Sequence, residues 1–125
     1  MQSQRGLILF GHGAREPEWA RPIERIRDLL RRSHPEALVA CAYLEYLTPT
    51  LPDCVAELVS SGVSAIVVLP VFIAQGGHLK QELPELLSQL ARAYPNCTFE
   101  LTPAMGEAES VLTAMSAHAA VYLAD

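Results

Sequence analysis

Two histidines, each beside glycine, are the residues through which this sequence could do chemistry. Gly11-His12-Gly13 closes one apolar run, and Gly76-Gly77-His78 follows another. Glu45 lies just past a third apolar run, and Glu82 comes four residues after His78. Neutral imidazole together with carboxylate suits iron, cobalt, nickel or zinc rather than magnesium or calcium. The same groups accept and release protons near neutral pH. Each histidine alone also has a plainer reading: His12 could end a strand by bonding backbone, and His78 could be an exposed residue at a helix start. His34, before Pro35, reads as a surface residue, and His118, near Met115 and Tyr122, as a structural one. Only joint placement of His12 and His78 would make a site.

The surrounding pattern supplies that placement. Residues 6–10 form a continuous apolar run and read as a first strand, followed by Pro17 in the first turn of a helix. Trp19, Ile23, Ile26 and Leu30 recur at helical spacing and predict its buried stripe. Residues 38–44 read as a second strand, and Thr48 or Thr50 as the cap of a helix with Leu51, Val55, Leu58 and Val59 on its apolar side. A third strand begins at residues 65–69 and runs into the double glycine, which lets the backbone turn. Leu79, Leu83, Leu86, Leu87 and Leu90 mark the next helix. Residues 97–101 alternate as an edge strand would, and a last helix carries Val111, Met115 and Tyr122 on one side.

Strands alternating with helices call for right-handed crossovers and a parallel sheet covered on both faces. The expected architecture is a single α/β domain over residues 1–125, a four-stranded flavodoxin-like three-layer α/β/α fold with strand order 2-1-3-4. In that order the first and third strands are neighbours about 4.8 Å apart. His12 and His78 then leave the same sheet edge at its switch point, with Glu45 on the strand beside His12 and Glu82 within reach.

Composition excludes several functions. Of 125 residues, 50% are hydrophobic and 18% charged, which fits a sheet buried on both faces rather than a disordered chain. A formal charge of −5 with no basic stripe argues against nucleic acid. The first apolar run is too short for a signal peptide or membrane span, so the expected compartment is the cytoplasm. Cys41, Cys54 and Cys97 are odd in number and widely spaced, and read as small buried apolar residues. No phosphate-binding glycine loop, nucleophilic serine or arginine directly before His12 is present, which disfavours nucleotide binding, hydrolysis and phosphotransfer.

Four stretches in order resemble one family. Leu7-Ile8-Leu9-Phe10-Gly11-His12-Gly13-Ala14-Arg15 is similar to the opening motif of the class II tetrapyrrole chelatases, a strand followed by G-H-G-S-R. Tyr43-Leu44-Glu45 with Pro49 and Leu51 resembles their second motif, Gly77-His78-Leu79-Lys80-Gln81-Glu82-Leu83-Pro84 their G-H-x-x-x-D-I-P, and Pro103-Ala104-Met105-Gly106 their P-L-G turn. In length the chain looks like the small CbiX-like sirohydrochlorin cobaltochelatases. The resemblance implies insertion of cobalt, or next iron, into sirohydrochlorin or a related precorrin, in cobalamin or sirohaem biosynthesis. It implies no permanently bound cofactor, the divalent ion (Co2+ or Fe2+, with Ni2+ a further candidate) being a substrate. His12 and His78 match the family's metal-binding histidines and Glu45 its motif carboxylate, and all three are carried as metal-binding and catalytic candidates. Which histidine is ligand and which base stays open.

Arg15, Lys80, Glu82, Gly76, Gly77 and Phe10 are the substrate-binding candidates. The two cations would offset the repulsion between an acidic protein and a substrate with many carboxylates. An apolar floor would come from Phe10, Leu44, Val71 or Phe72. Glu45 would gain proton affinity if sunk in an apolar crevice. Ala14 for the family's serine and Glu82 for its aspartate are departures that alter hydroxyl and carboxylate geometry. A chain one module long also implies a homodimer enclosing the macrocycle. The competing expectation is a non-catalytic cobalt or nickel carrier or regulatory protein on the same fold.

Overall fold

The computed structural model describes residues 4–74 and 76–124, and of His78 only the backbone. Four parallel strands, β1 (Gln4–Gly11), β2 (Leu38–Tyr43), β3 (Val63–Pro70) and β4 (Thr98–Leu101), form one sheet in the order β2-β1-β3-β4. This is the expected order, with β1 and β3 adjacent in register from Arg5–Ala65 to Phe10–Pro70. Helices α1 (Arg21–Ser33), α2 (Leu51–Ser60), α3 (Gly77–Ala93) and α4 (Glu109–Ala120) alternate with the strands. Short 3-10 turns lie at Pro17–Ala20, Met105–Glu107 and Val121–Leu123.

Alternation along each strand divides the core in two. Ile8, Phe10, Ala42, Ile66 and Val68 point to the face that α2 and α3 cover through Leu51, Val55, Leu83 and Leu87. Leu9, Val39, Cys41 and Tyr43 point to the other face, where Ile23 of α1 meets them. Burial this complete along β1, where Ile8, Leu9 and Phe10 are fully inaccessible, explains why the strand is apolar without alternation. The three cysteines are free and buried, as their sequence context predicts. Thr50, not Thr48, caps α2: its hydroxyl accepts from the Asp53 N–H at 3.3 Å.

Two expected stripes are corrected. Trp19 is 69% exposed because it sits in the Pro17–Ala20 turn, whose three-residue period rotates it away from the face that Ile23 presents. In the last helix Val111 is only half-buried and Met115 is 46% exposed: α4 has no fully buried residue, and Tyr122 falls in the following 3-10 turn. β4 starts one residue later than expected, at Thr98, and alternates exposed and half-buried as an edge strand should.

Candidate active site

The C-terminal edge of the sheet collects the candidate residues. β1 ends at Gly11, and the pairing with β2 continues one step beyond both strands: the Leu44 N–H donates to the Gly11 carbonyl at 3.0 Å and the Glu45 N–H to the His12 carbonyl at 3.3 Å. His12 and Glu45 are thereby fixed side by side, with Nδ1 4.0 Å from Oε1 and both side chains half exposed. The two glycines around His12 have separate causes. A side chain at Gly11 would collide with Ile23 of α1 and press on the Tyr43 ring. Gly13 adopts φ +93°, and a Cβ there would overlap the Glu45 carbonyl. The G-H-G triplet is therefore what lets the loop after β1 lie directly on the loop after β2.

Two open clefts meet at this pair. One, of about 320 Å3, is lined by His12, Leu44, Phe72, Gly76 and Glu82. The other, of about 440 Å3 on the α1 side, is lined by His12, Trp19, Tyr43, Val71 and Phe72. His12 and Phe72 belong to both. Glu82, from α3, reaches the first cleft and a smaller one adjoining it under Leu44 and Leu79. The backbone of His78 lies in the first turn of α3, and its side chain is outside the described residues. Pro84, inside the same helix, offers no N–H to the Lys80 carbonyl, so the turn carrying His78 is bonded less tightly to the rest of α3.

Other candidates fall differently from expectation. Phe10 is fully buried and lies beneath Phe72, ring centroids 6.1 Å apart in an edge-on contact. Phe72, with Leu44 and Val71, lines the clefts, so Phe10 supports the floor without being its surface. Glu45 is half exposed, not sunk in an apolar crevice. Arg15 stacks over the Tyr46 ring at 5.3 Å, bridging the loops after β1 and β2. Tyr46 itself stands at φ +68°, a conformation unusual for a bulky residue and common at functional sites. Lys80 is exposed on the first turn of α3, its N–H bonded to the Gly76 carbonyl at 3.1 Å. Gly76 and Gly77 have no positive φ, and a Cβ at either meets nothing within 4 Å. Their smallness leaves space at the cleft mouth; the turn does not require it.

Trp19, which spacing assigned to a buried stripe, and Tyr46 are the site residues that the sequence did not mark as functional. An aromatic directly after Glu45 was visible in the sequence. The exposure of Trp19 was not, because it depends on the 3-10 turn.

His12 and Glu45 can share a divalent ion. Two donors about 2.1 Å from an ion and roughly 90–110° apart lie about 3.0–3.4 Å from each other. The observed 4.0 Å needs to shorten by less than an ångström, a side-chain adjustment for two half-exposed groups. Among the described residues no three His, Cys, Asp or Glu converge as a metal-holding group.

A parallel sheet in this order, with histidine and carboxylate on its switch-point edge, defines a chelatase-like α/β domain. The chain belongs to the CbiX family, whose model it matches over residues 6–120. It is 31% identical over 88 residues to the sirohydrochlorin cobaltochelatase of Methanosarcina acetivorans, covering 70% of this chain and 68% of that protein. It is 38% identical over 84 residues to that of Methanothermobacter thermautotrophicus, covering 66% and 57%. The chain thus spans only about three fifths to two thirds of the length of the curated relatives it matches. Its fold superposes on a cobalamin (vitamin B12) biosynthesis CbiX protein from Marinobacter aquaeolei VT8 with a TM-score of 0.79 at 25% identity, covering 95% of this chain and 97% of that one.

Proposed function

We propose that this chain inserts a divalent metal ion, cobalt first and iron next, into sirohydrochlorin or a related tetrapyrrole, in cobalamin or sirohaem biosynthesis. The observation that carries this reading is the His12–Glu45 pair, held at the meeting point of two apolar-walled clefts at the switch point of a CbiX-family sheet. The named activity of the relatives from Methanosarcina acetivorans and Methanothermobacter thermautotrophicus supplies the substrate.

Metallation replaces two pyrrole N–H protons by one M2+, so two protons must leave as the ion enters. Half-exposed His12 and Glu45 suit both duties: they present an ion to one macrocycle face without enclosing it, and they pass protons to solvent. His78, on the first turn of α3, is the further ligand or base in this scheme. Ligation requires neutral imidazole, so metal uptake weakens as pH falls through the histidine range. The ion is substrate throughout, and no permanently bound cofactor takes part.

Substrate is held, in the same proposal, by Phe72, Leu44 and Val71 against the ring and by Arg15 and Lys80 toward its carboxylates, with Glu82, Gly76 and Gly77 shaping the mouth. Neither cleft alone is large for a carboxylate-bearing macrocycle, since pockets of about 300–1,000 Å3 enclose ordinary drug-sized ligands. A homodimer that closes the second side of the substrate follows from that shortfall. The free, buried thiols accord with a reducing cytoplasm as the working compartment. Among the described residues no helix is long and apolar enough to cross a membrane.

The test follows the absorbance change on mixing sirohydrochlorin with Co2+ or Fe2+ and protein. Wild type should exceed the uncatalysed rate, and His12→Ala and Glu45→Gln should each lose most of that excess. Metal binding by wild type with no rate above background would instead make the protein a carrier.

A further inference from the structure

We infer that Tyr46 is a positioning residue for the tetrapyrrole: a strained turn after Glu45 carries its ring across to the loop after β1, where it holds the Arg15 guanidinium ready for a substrate carboxylate. This deepens the proposed reading of the site and rests on it.

The turn is an unusual one. Tyr46 stands at φ +68°, and the Leu47 N–H donates back to the Glu45 carbonyl at 2.8 Å, a hydrogen bond that encloses Tyr46 alone. Positive φ at the corner of such a bond makes the rarer and more strained of the two γ-turns. Its surroundings keep it in place. The loop after β2 is tied at its base, where the Tyr43 N–H donates to the Pro49 carbonyl at 3.0 Å. The Glu45 carbonyl lies so close on Gly13 that no Cβ would fit there. Glycine would hold the same corner without strain. A tyrosine there needs a compensating contact, and burial does not provide it, since Tyr46 is 60% exposed.

The contact its ring makes is with Arg15, whose guanidinium carbon stands 5.3 Å from the ring centroid. That is inside the roughly 6 Å over which a cation is drawn to a ring face. Arg15 follows His12 by three residues and Tyr46 comes directly after Glu45, so the contact joins the same two loops that set the His12–Glu45 pair. How the cation is held matters. The chain has 14 Asp and Glu against 9 Lys and Arg, and Glu16 is the next residue in sequence. Yet among the described residues no carboxylate pairs with Arg15. A carboxylate partner would occupy the guanidinium's donors and cancel its charge. A ring face holds the group from one side and leaves its N–H edge open for bidentate capture of a carboxylate. Ordering the side chain beforehand also lowers the cost of binding. For an acidic protein with a polycarboxylate substrate, this un-neutralised cation beside the metal pair is the local attraction that the overall charge does not supply.

The experiment titrates metal-free sirohydrochlorin into the full chain and follows quenching of Trp19, the single tryptophan. Tyr46→Gly and Tyr46→Asn both tolerate positive φ and remove the ring. Each should melt within about 4 °C of wild type, because relief of strain offsets the lost contact and the freer unfolded chain. Each should nevertheless raise Kd by about two- to fivefold, with the loss in turnover falling on KM rather than kcat. Tyr46→Phe, which keeps the ring face, should retain the wild-type Kd. Because Tyr46 acts through Arg15, adding Tyr46→Gly to Arg15→Gln should weaken binding no further than Arg15→Gln alone. Full additivity of those two changes overturns the proposal. So does an unchanged Kd in both ringless variants, or a loss in Tyr46→Phe equal to theirs. The expected pattern of Kd values without metallation above the uncatalysed rate sinks the insertion reading and leaves the role of Tyr46 standing. A wild type that binds no sirohydrochlorin sinks both.

Discussion

Gly13→Ala is the sharpest perturbation of the site that leaves every chemical group in place. Gly13 stands at φ +93°, where an L side chain costs about 1–2 kcal/mol. The added methyl also overlaps the Glu45 carbonyl, so the loop after β2 must withdraw, and overpacking of this kind costs about 1–3 kcal/mol. The total is about 2–5 kcal/mol. At roughly 3–5 °C per kcal/mol for a chain of this size, the melting temperature should fall by roughly 6–25 °C. The same withdrawal stretches the 3.3 Å bond from the Glu45 N–H to the His12 carbonyl and parts the 4.0 Å side-chain pair. A misplacement of about 1 Å at reacting groups costs about 100-fold, so metallation should drop by 10- to 100-fold even well below the melting point. Calorimetry and the sirohydrochlorin absorbance assay, run on one preparation, measure both. A melting temperature within 2 °C of wild type with turnover within twofold would refute the claim that Gly13 sets the His12–Glu45 spacing. Gly77→Ala is the control: it meets nothing within 4 Å and needs no positive φ, so the fold should be unchanged or slightly more stable, by about 0.5–1 kcal/mol.

Three further outcomes follow from burial and charge. Phe10→Ala removes a fully buried ring from beneath Phe72 and should cost about 3–5 kcal/mol in urea unfolding, with substrate affinity changing only through loss of the floor's support. Trp19→Ala should leave stability within about 0.5 kcal/mol, because the ring is 69% exposed, but should raise KM if the α1-side cleft holds substrate. Burial pushes the Cys54 thiol up to about 12. An unfolded thiol ionises near 8.5, so above that pH the unfolded chain binds fewer protons, and stability should decline from about pH 9 toward 12, by about 2 kcal/mol at pH 10. Cys54→Ala should flatten that decline, and iodoacetamide at pH 8 should leave the native thiol unmodified.

How much of this was legible before folding depends on what each residue answers to. The strand order followed from uninterrupted apolar runs and the handedness of crossovers, which are properties of the backbone and of nearest neighbours. His12 and Glu45 were legible for the same reason: each is one or two residues past a strand, and adjacent parallel strands end side by side. Phe10 was misjudged as a substrate contact because position along a strand tells which face a side chain takes, but not whether a second ring, here Phe72, lies above it. The role of Gly13 needed φ and the distance to the opposite loop, neither of which is written in a dipeptide.

Trp19 and α4 fail for a related physical reason with opposite consequences. Helical spacing reports that a set of residues would share a face, on the assumption that the helix period holds throughout. At Trp19 a 3-10 turn broke the period, and an apolar ring was turned into the mouth of a cleft. In α4 the period holds over Val111 and Met115, and the apolar character is real, but spacing says nothing about which surface receives it. The start of α4 is tied to the Phe72–Ile73 loop of the site, since the Gly106 N–H donates to the Phe72 carbonyl at 2.8 Å. Whatever surface receives α4 therefore acts, through Gly106, on the backbone behind Phe72.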